Sequence, residues 1–369
     1  MIKIKKANKK EQELIIKIAN DTFKPIRPIG FDFRSCQPKV YSNPNYDFSL
    51  NHYLAKTEED TPVGTFGNLI YKTSIDDNDY SFSFLGSVSV LPEYQSQGIM
   101  KEMMNPLEID NLDHHVVFSL LTGKRKRYQN YGYEKGPFSY AFNFVDYTIH
   151  HFKNIKEVTL EELDARNQHD AYKLYKNQDT FKLRDPSNFY LSLKTGEATG
   201  YLLYDQNHSF IGYCSLSKAK KEIFEIMMKD MSYLPSVIKT IMISHHLETM
   251  TILVSPFQKK MIDALSLIAE SINIRQDLHI KIYDIKAFLS FLYELNLKYF
   301  PLKDKEVVYR IEDETILVSI VKGKLQVTST DRKADYQFSR QELITHLFTP
   351  LPARKEEQLY FDLSECDRF

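Results

Sequence analysis

The chain has 369 residues, of which 43% are hydrophobic and 26% charged, and its formal net charge is -1. A chain of this length is longer than one hydrophobic core usually organises, so two or three domains are expected. The balanced charge argues against a nucleic-acid-binding protein, which needs a basic excess. The N-terminal residues lack the apolar core of a signal peptide, and no apolar run approaches the ~20 residues of a membrane span. A cytoplasmic protein is therefore predicted. Cys36, Cys214 and Cys366 are isolated and indicate neither a disulfide framework nor a zinc site.

The first half of the chain alternates helix and strand signals. Apolar residues at helical spacing predict a helix over residues 11–20, and residues 53–56 and 62–66 predict a β-hairpin. A strand over residues 82–90, interrupted near Gly86, precedes a helix that residues 95–100 open. Pro106 is expected to end or kink that helix. A buried strand is predicted over residues 116–121.

The second half contains a similar hairpin, over residues 201–204 and 210–213, with Gly212 placed as Gly64 is in the first. Two related α/β modules are therefore plausible, although a chance likeness between two hairpins is an equally good reading. Residues 159–162 fit a capping box, and residues 185–186 fit a helix start with Pro at its first position. Short strands over residues 311–314, 315–321 and 324–330, followed by a capped helix from Ser339, predict a small C-terminal α+β domain.

The segment most suggestive of chemistry is residues 81–101, a strand followed by a turn and a helix. Free N–H groups at the start of a helix and its positive dipole end form a natural anion site. Gly98 would let a pyrophosphate approach the backbone without a Cβ in the way. Read alone, this pattern is more often an ordinary strand-to-helix turn.

Two motifs together resemble the GCN5-related N-acetyltransferase (GNAT) superfamily. One is Val88-Ser89-Val90, Pro92 and Gln95-x-x-Gly98-x-Met100, in which Met100 replaces a small residue; the other is Tyr128-x-x-x-Gly132-Tyr133-Glu134. The whole chain resembles the Eis-type (enhanced intracellular survival) branch. The resemblance implies two tandem GNAT-like mixed-sheet α/β domains, the first catalytic and the second degenerate, followed by a small α+β domain like sterol carrier proteins. The implied limits are residues 1–150, 151–277 and 278–369.

The resemblance also implies acetyl-CoA as cosubstrate, without a metal, and a homo-oligomer, possibly a hexamer. The acetyl-CoA site would comprise Val88, Ser89, Val90, Ser96, Gln97, Gly98, Ile99, Met100, Lys101, Gly123 and Lys124. Tyr128 would donate a proton to the departing sulfur. The α-carboxylate of Phe369, the last residue, would act on the amine, whereas a frayed tail is the usual reading of such a residue.

The acceptor is less well defined than the donor. The aromatic residues between Phe23 and Phe33 could line an acceptor pocket, although such residues are more often core. Arg27 and Arg368 argue against a polycationic aminoglycoside and leave a small-molecule or lysine-type amine open. The competing hypothesis is a non-catalytic acyl-CoA- or lipid-binding protein on a degenerate acyltransferase scaffold. The three His-His pairs carry no metal-ligand spacing and are read as surface or core histidines.

Overall fold

A computed structural model describes residues 2–27, 30–177, 184–350, 359–361 and 364–368. Its elements fall into three groups along the chain. The first group runs β1 (Lys3–Lys6), α1 (Gln12–Phe23), α2 (Phe33–Cys36), α3 (Pro38–Tyr41), β2 (His52–Lys56), β3 (Pro62–Ile75), β4 (Asn78–Val90), α4 (Ile99–Asp113), β5 (Phe118–Thr122), α5 (Arg125–Gln129) and β6 (Glu134–Lys135).

The second group runs β7 (Ser139–Val145), α6 (Asp146–His150), β8 (Val158–Glu162), α7 (His169–Lys176), α8 (Phe189–Ser192), β9 (Thr199–Asp205), β10 (Phe210–Ser217), β11 (Glu222–Met228), α9 (Leu234–Ser244), β12 (Thr249–Val254), α10 (Lys259–Ser266) and β13 (Ser271–Arg275). The third runs β14 (Leu278–Ile282), α11 (Ile285–Tyr299), β15 (Lys305–Ile311), β16 (Glu314–Val321), β17 (Lys324–Ser329), β18 (Tyr336–Phe338) and α12 (Arg340–Phe348).

Two seven-stranded mixed sheets share one topology, and a four-stranded sheet follows them. The first sheet has the order β1-β2-β3-β4-β5-β14-β6, and the second has the order β8-β9-β10-β11-β12-β7-β13. In each, one pair of central strands is parallel, namely β4 with β5 and β11 with β12. The third sheet has the order β17-β16-β15-β18. The predicted fold class is confirmed, and we refer to the first two sheets with their helices as the first and second modules.

The two modules exchange one strand each. Strand β7 follows the first module in the chain but pairs with β12 and β13 of the second sheet. Strand β14 follows the second module but pairs with β5 and β6 of the first sheet. Both strands fill the same place in their sheets, next to the last strand. The domain limits expected from the sequence therefore cut across sheet membership at these two strands.

Several local predictions have clear outcomes. Both hairpins are confirmed as antiparallel pairs, β2 with β3 and β9 with β10. The capping box at Ser339 is confirmed, because its hydroxyl accepts from the Glu342 N–H. The helix start predicted at residues 159–162 is wrong, because these residues pair with β9 as strand β8. Sheet pairing there outweighs a local capping pattern.

Two predictions about proline-containing helix positions also have a different outcome. Helix α4 continues through Pro106 to Asp113, so the proline does not end it; the buried Met103, Met104 and Leu107 flank the proline and pack this part of the helix. Residues 185–186 form a turn rather than a helix start, since the Asp185 carboxylate accepts from the Ser187 N–H, and α8 begins only at Phe189. None of the helices in the described part of the chain combines the length and apolar content of a membrane span.

A buried ion cluster ties the C-terminal segment to the second module. Arg184, whose side chain is 3% exposed, donates to Glu225 at 2.9 and 2.6 Å and to Asp367 at 2.9 and 2.8 Å. Because all three side chains are largely buried, the guanidinium is the counter-charge that the two carboxylates share.

Arg184→Met is expected to lower the free energy of unfolding by about 3–5 kcal/mol, the usual cost of leaving a buried charge unpaired. Urea denaturation measures the effect. The matched control is Arg166→Met, which removes an ion pair with Asp164 from a side chain that is 89% exposed, and should cost no more than about 1 kcal/mol. Equal losses in the two variants would contradict a structural role for the buried cluster.

Candidate active site

The parallel strands β4 and β5 separate in the middle of the first sheet. They pair from Phe82 opposite Phe118 to Leu85 opposite Leu121, and there the pairing ends although β4 continues to Val90. The β3–β4 register shifts between Thr65 and Gly67, and Ser87 has a positive φ of 46°. These are the marks of a β-bulge, which bends a strand away from its neighbour. Residues 86–90 are thus paired with β3 alone, and a gap opens beside them.

The three strand residues predicted to bind the cofactor lie along this gap. Ser89 pairs with Thr65 and Val90 with Gly64 on the β3 side. The Ser89 hydroxyl donates to the Ser87 carbonyl at 2.8 Å, so its hydrogen is already used within the strand. Val88 packs, partly buried, against the apolar cluster under α4. A ligand in the gap would therefore contact mainly the backbone N–H and C=O groups of these residues.

The turn after β4 leaves the start of α4 open. Ser96 and Gly98 have positive φ values of 64° and 81°, and Gly98 precedes the helix without a side-chain cap. The first N–H groups of a helix have no acceptor within it, so those of this turn point outward with the positive dipole end. A Cβ at Gly98 would have no atom within 4 Å. The sequence predicted this arrangement for an anion.

The remaining predicted residues of the turn divide into an exposed and a buried set. Ser96, Gln97, Gly98 and Lys101 are exposed, whereas Ile99 is buried and Met100 is partly buried in the apolar cluster. Met100, which departs from the family pattern, therefore anchors the helix to the sheet instead of filling the turn.

Tyr128 lies on the other side of the gap, on α5 directly after β5. Its side chain is 6% exposed, and burial raises its pKa to about 12. The ring packs over Gly123, where a Cβ would lie 2.5 Å from the Tyr128 Cε2 atom. Only glycine at position 123 permits this placement. The phenol is consequently protonated throughout the neutral range and able to donate.

An ion pair holds α5 in position. Glu134 accepts from Arg125 Nε and Nη2 at 2.6 and 2.8 Å and from Gln129 Nε2 at 3.0 Å. Burial opposes ionisation of Glu134, but hydrogen bonds from Arg125 and from the Lys135 N–H outweigh it and lower the pKa of the carboxyl. The Glu of the second motif is thus a positioning residue for the helix that carries Tyr128. The exposed Lys124 precedes that helix, with its carbonyl accepting from the Arg127 N–H.

His279 is a buried residue near this site that the sequence did not reveal. It lies on the exchanged strand β14, opposite Leu121, and is 3% exposed. Neither ring nitrogen has a hydrogen-bond partner of regular geometry, and burial lowers the pKa of the imidazole. No local motif marks it, because its strand comes from residues far along the chain.

The C-terminal segment approaches the same end of the first sheet. Arg368 Nη1 lies 3.9 Å from Asp277, the residue that precedes β14, and Leu278 of that strand pairs with Thr122 at the end of β5. Lys39 Nζ donates to the Cys366 carbonyl at 2.9 Å, which joins the segment to the first module as well. Phe369, the predicted carboxylate donor, lies outside the described residues.

The aromatic segment predicted as an acceptor wall forms a packed cluster. Phe33 meets Phe23 and Phe31 edge-on at 5.2 and 5.1 Å, and the Arg27 guanidinium lies over the Phe23 and Phe31 rings at 5.9 and 5.2 Å. Within the described residues, no three His, Cys, Asp or Glu side chains come together as a metal site would require.

Comparison with known proteins finds one family match, and it lies over the first module. Residues 3–136 match the model of the acetyltransferase (GNAT) domain. The separated strands, the turn before α4 and Tyr128 all lie inside it. No curated protein matches the chain by sequence.

Solved structures similar to the whole chain show that the fold extends beyond the GNAT domain. A GCN5-related N-acetyltransferase from Anabaena variabilis is 18% identical over 100% of both chains, with a TM-score of 0.69. A probable N-acyltransferase from Enterococcus faecalis is 15% identical over 93% of this chain and 88% of its own, with a TM-score of 0.64. Eis1 from Mycobacterium abscessus is 12% identical over 94% of this chain and 89% of its own, with a TM-score of 0.60.

Proposed function

We propose that the protein transfers an acetyl group from acetyl-CoA to a primary amine, with the first module as the catalytic one. The observation that carries the proposal is the gap between β4 and β5, which has the uncapped start of α4 on one side and Tyr128 on the other. A thioester held in this gap would have its diphosphate at the helix start and its sulfur toward the phenol.

The cofactor would be held mainly by the backbone. Residues 88–90 have one strand edge without a neighbouring strand, so they can pair with the pantetheine arm as with an added strand once the Gln95 side chain releases the Val90 carbonyl. The amides of residues 96–101 would hold the pyrophosphate at the positive end of α4. Gly123 and Lys124 would contact the cofactor at the end of β5. A free-base amine would then attack the thioester carbonyl, the C–S bond would break, and the Tyr128 hydroxyl would give its proton to the departing thiolate. The proton that the amine nitrogen loses would pass to a base or to solvent, and solvent would return a proton to the Tyr128 phenolate.

The acceptor side is defined by the resemblance more than by the described residues. The predicted role of the Phe369 carboxylate stays a prediction, supported by the position of Arg368 near the end of β5. Acetyl transfer by N-tagged and C-tagged proteins on one amine tests it: a peptide bond after residue 369 would neutralise the carboxylate and slow turnover, and equal rates would exclude the role. A small-molecule or lysine-type amine remains the proposed acceptor, and a cytoplasmic homo-oligomer, such as a hexamer, remains the proposed state.

The function is tested by acetyl-CoA calorimetry followed by a thiol-release assay against a panel of primary amines. We expect stoichiometric binding that survives chelators, and acetyl-dependent thiol release with at least one amine. Tight acetyl-CoA binding without turnover on any amine would favour the non-catalytic binding protein instead. Absence of acetyl-CoA binding would contradict both.

The contact between Gly123 and Tyr128 gives a second test. Gly123→Ala places a methyl group 2.5 Å from Tyr128 Cε2, so the ring must shift, and misplacements of about 1 Å can cost on the order of 10²-fold in rate. We expect kcat to fall at least about tenfold.

Gly212→Ala is the control, because its Cβ would meet the Met227 carbonyl oxygen, a comparable clash in the second module. Both variants should lose stability, as urea denaturation would show, but only Gly123→Ala should lose kcat beyond what its unfolded fraction explains. Equal loss of kcat in the two would mean that the position of Tyr128 is unimportant.

A further inference from the structure

The second module contains a cavity of about 690 Å³. It lies beside strands β11 and β12, with Phe224 and Glu225 on one wall and Leu253 and Ser255 on another. Its volume falls within the range of about 300–1,000 Å³ typical of small-molecule sites. None of its described lining residues belongs to the first module, so the cavity is distinct from the gap between β4 and β5. Its wall includes Asp367 and Arg368, and it therefore borders the C-terminal segment that approaches the end of β5.

The cavity arises from the same topology as the gap in the first module. Strand β11 pairs in parallel with β12 only at Glu222 opposite Thr251 and Ile223 opposite Ile252. Beyond these pairs β11 continues to Met228 without a partner on that side. The two central strands therefore separate here too, and the space between them is kept open.

The lining of the cavity is mixed, with a methionine-rich apolar part beside a charged part. The apolar part comprises Leu174, Phe224, Met227, Met228, Met231, Leu253, Phe257, Met261 and Tyr299. Methionine is unbranched and flexible, so a methionine-rich wall accommodates apolar chains of varied shape. Such a lining favours an aliphatic segment over a polar ligand.

The charges that line the cavity are unbalanced. Its acidic residues are neutralised locally, Glu225 and Asp367 by Arg184 and Glu365 by Arg368. In contrast, Lys229, Lys259 and Lys260 also line the cavity and form no ion pair with any described residue.

Lys259 and Lys260 stand in the first turn of α10, after Gln258, which provides no side-chain cap. Positive side chains are unfavourable at that end of a helix. An anion bound between the two lysines and the helix start would reverse this penalty, so the charges indicate an anionic group at the cavity rim.

The second cavity differs from the first gap where a diphosphate would bind. The turn before α9 is capped by the Asp230 carboxylate, which accepts from the Ser232 N–H at 2.8 Å. A carboxylate occupies the anion position there, whereas Gly98 leaves it open in the first module. The second cavity is thus unsuited to a CoA diphosphate held in the same way.

We propose that this cavity binds a single-chain anionic amphiphile, a fatty carboxylate, with its tail among the methionines and its head group at Lys259 and Lys260. Binding there gives the second module a ligand of its own, with a site distinct from the acetyl-CoA site proposed for the first module.

The test is calorimetry of the full-length protein with laurate below its micelle concentration. Wild type should bind one laurate per cavity, more weakly at high salt because the head-group contact is screened. Hexanoate should bind at least about tenfold more weakly for want of tail burial, and dodecylammonium, with the same tail and the opposite charge, should not bind at this site. Saturating acetyl-CoA should leave the laurate affinity unchanged.

The double variant Lys259→Gln/Lys260→Gln should weaken laurate binding at least about tenfold. The matched control Lys322→Gln/Lys324→Gln makes the same charge change on the exposed β16–β17 hairpin and should bind laurate as wild type does. The proposal is overturned if laurate gives no saturable binding, if dodecylammonium binds equally well, if both double variants behave alike, or if acetyl-CoA displaces laurate.

Discussion

Tyr128→Phe is expected to lower kcat by about 10²-fold or more, the scale for losing a positioned general acid. The substitution removes one oxygen from a ring whose packing over Gly123 is otherwise unchanged. Affinity for acetyl-CoA should therefore remain near that of wild type, which calorimetry can verify beside steady-state thiol release.

Tyr131→Phe is the matched control, since it makes the same change three residues further on, in a side chain that is only partly buried. It should leave kcat within about twofold of wild type. The pKa of Tyr128, raised to about 12 by burial, adds a pH criterion. The acid stays protonated below that pKa, so no loss of kcat between pH 7 and 10 should come from this group. Wild-type turnover in the Tyr128→Phe protein would refute its role.

Gly98→Val is expected to abolish measurable acetyl-CoA binding. The left-handed φ of 81° at this position is poorly accessible to a β-branched residue. The new side chain would also stand in the open space before α4, where the diphosphate must approach the N–H groups. Calorimetry of the folded variant measures the loss.

Gly323→Val is the control for the effect of backbone strain alone. Gly323 has a φ of 73° and, like Gly98, no atom within 4 Å of a built Cβ, but it lies in the turn between β16 and β17. This variant should lose a similar amount of stability and bind acetyl-CoA normally. Retention of binding in Gly98→Val would place the diphosphate elsewhere.

The sequence could predict the parts of the site that are local in the chain. The turn at Gly98 and the placement of Tyr128 after β5 both follow from contiguous motifs, since glycine conformation and helix starts are set within a few residues. The separation of β4 from β5 was only hinted at by Gly86, because a bulge depends on the register with β3, which no single segment encodes.

Long-range features escaped the sequence. His279 enters the first sheet on β14, a strand that follows the whole second module in the chain. Arg184 pairs with Asp367, which lies 183 residues further along the chain. The helix start predicted at residues 159–162 failed for the same reason, because pairing with β9 outweighs a local capping pattern. Tertiary contacts decide such positions, and periodicity does not report them.

The exchanged strands set the order in which the chain can be completed. During synthesis, the edge of β5 that pairs with β14 has no neighbouring strand until residues 278–282 have left the ribosome. Phe118 and Leu120, which are buried in the folded protein, lie on β5. A chain cut after residue 136 would keep that edge open permanently, which is a template for pairing with other molecules. The isolated first module should therefore aggregate, and in the nascent chain its sheet is completed only after the second module has been synthesised. Because of the exchanged strands, the two modules are expected to fold, or to fail to fold, together.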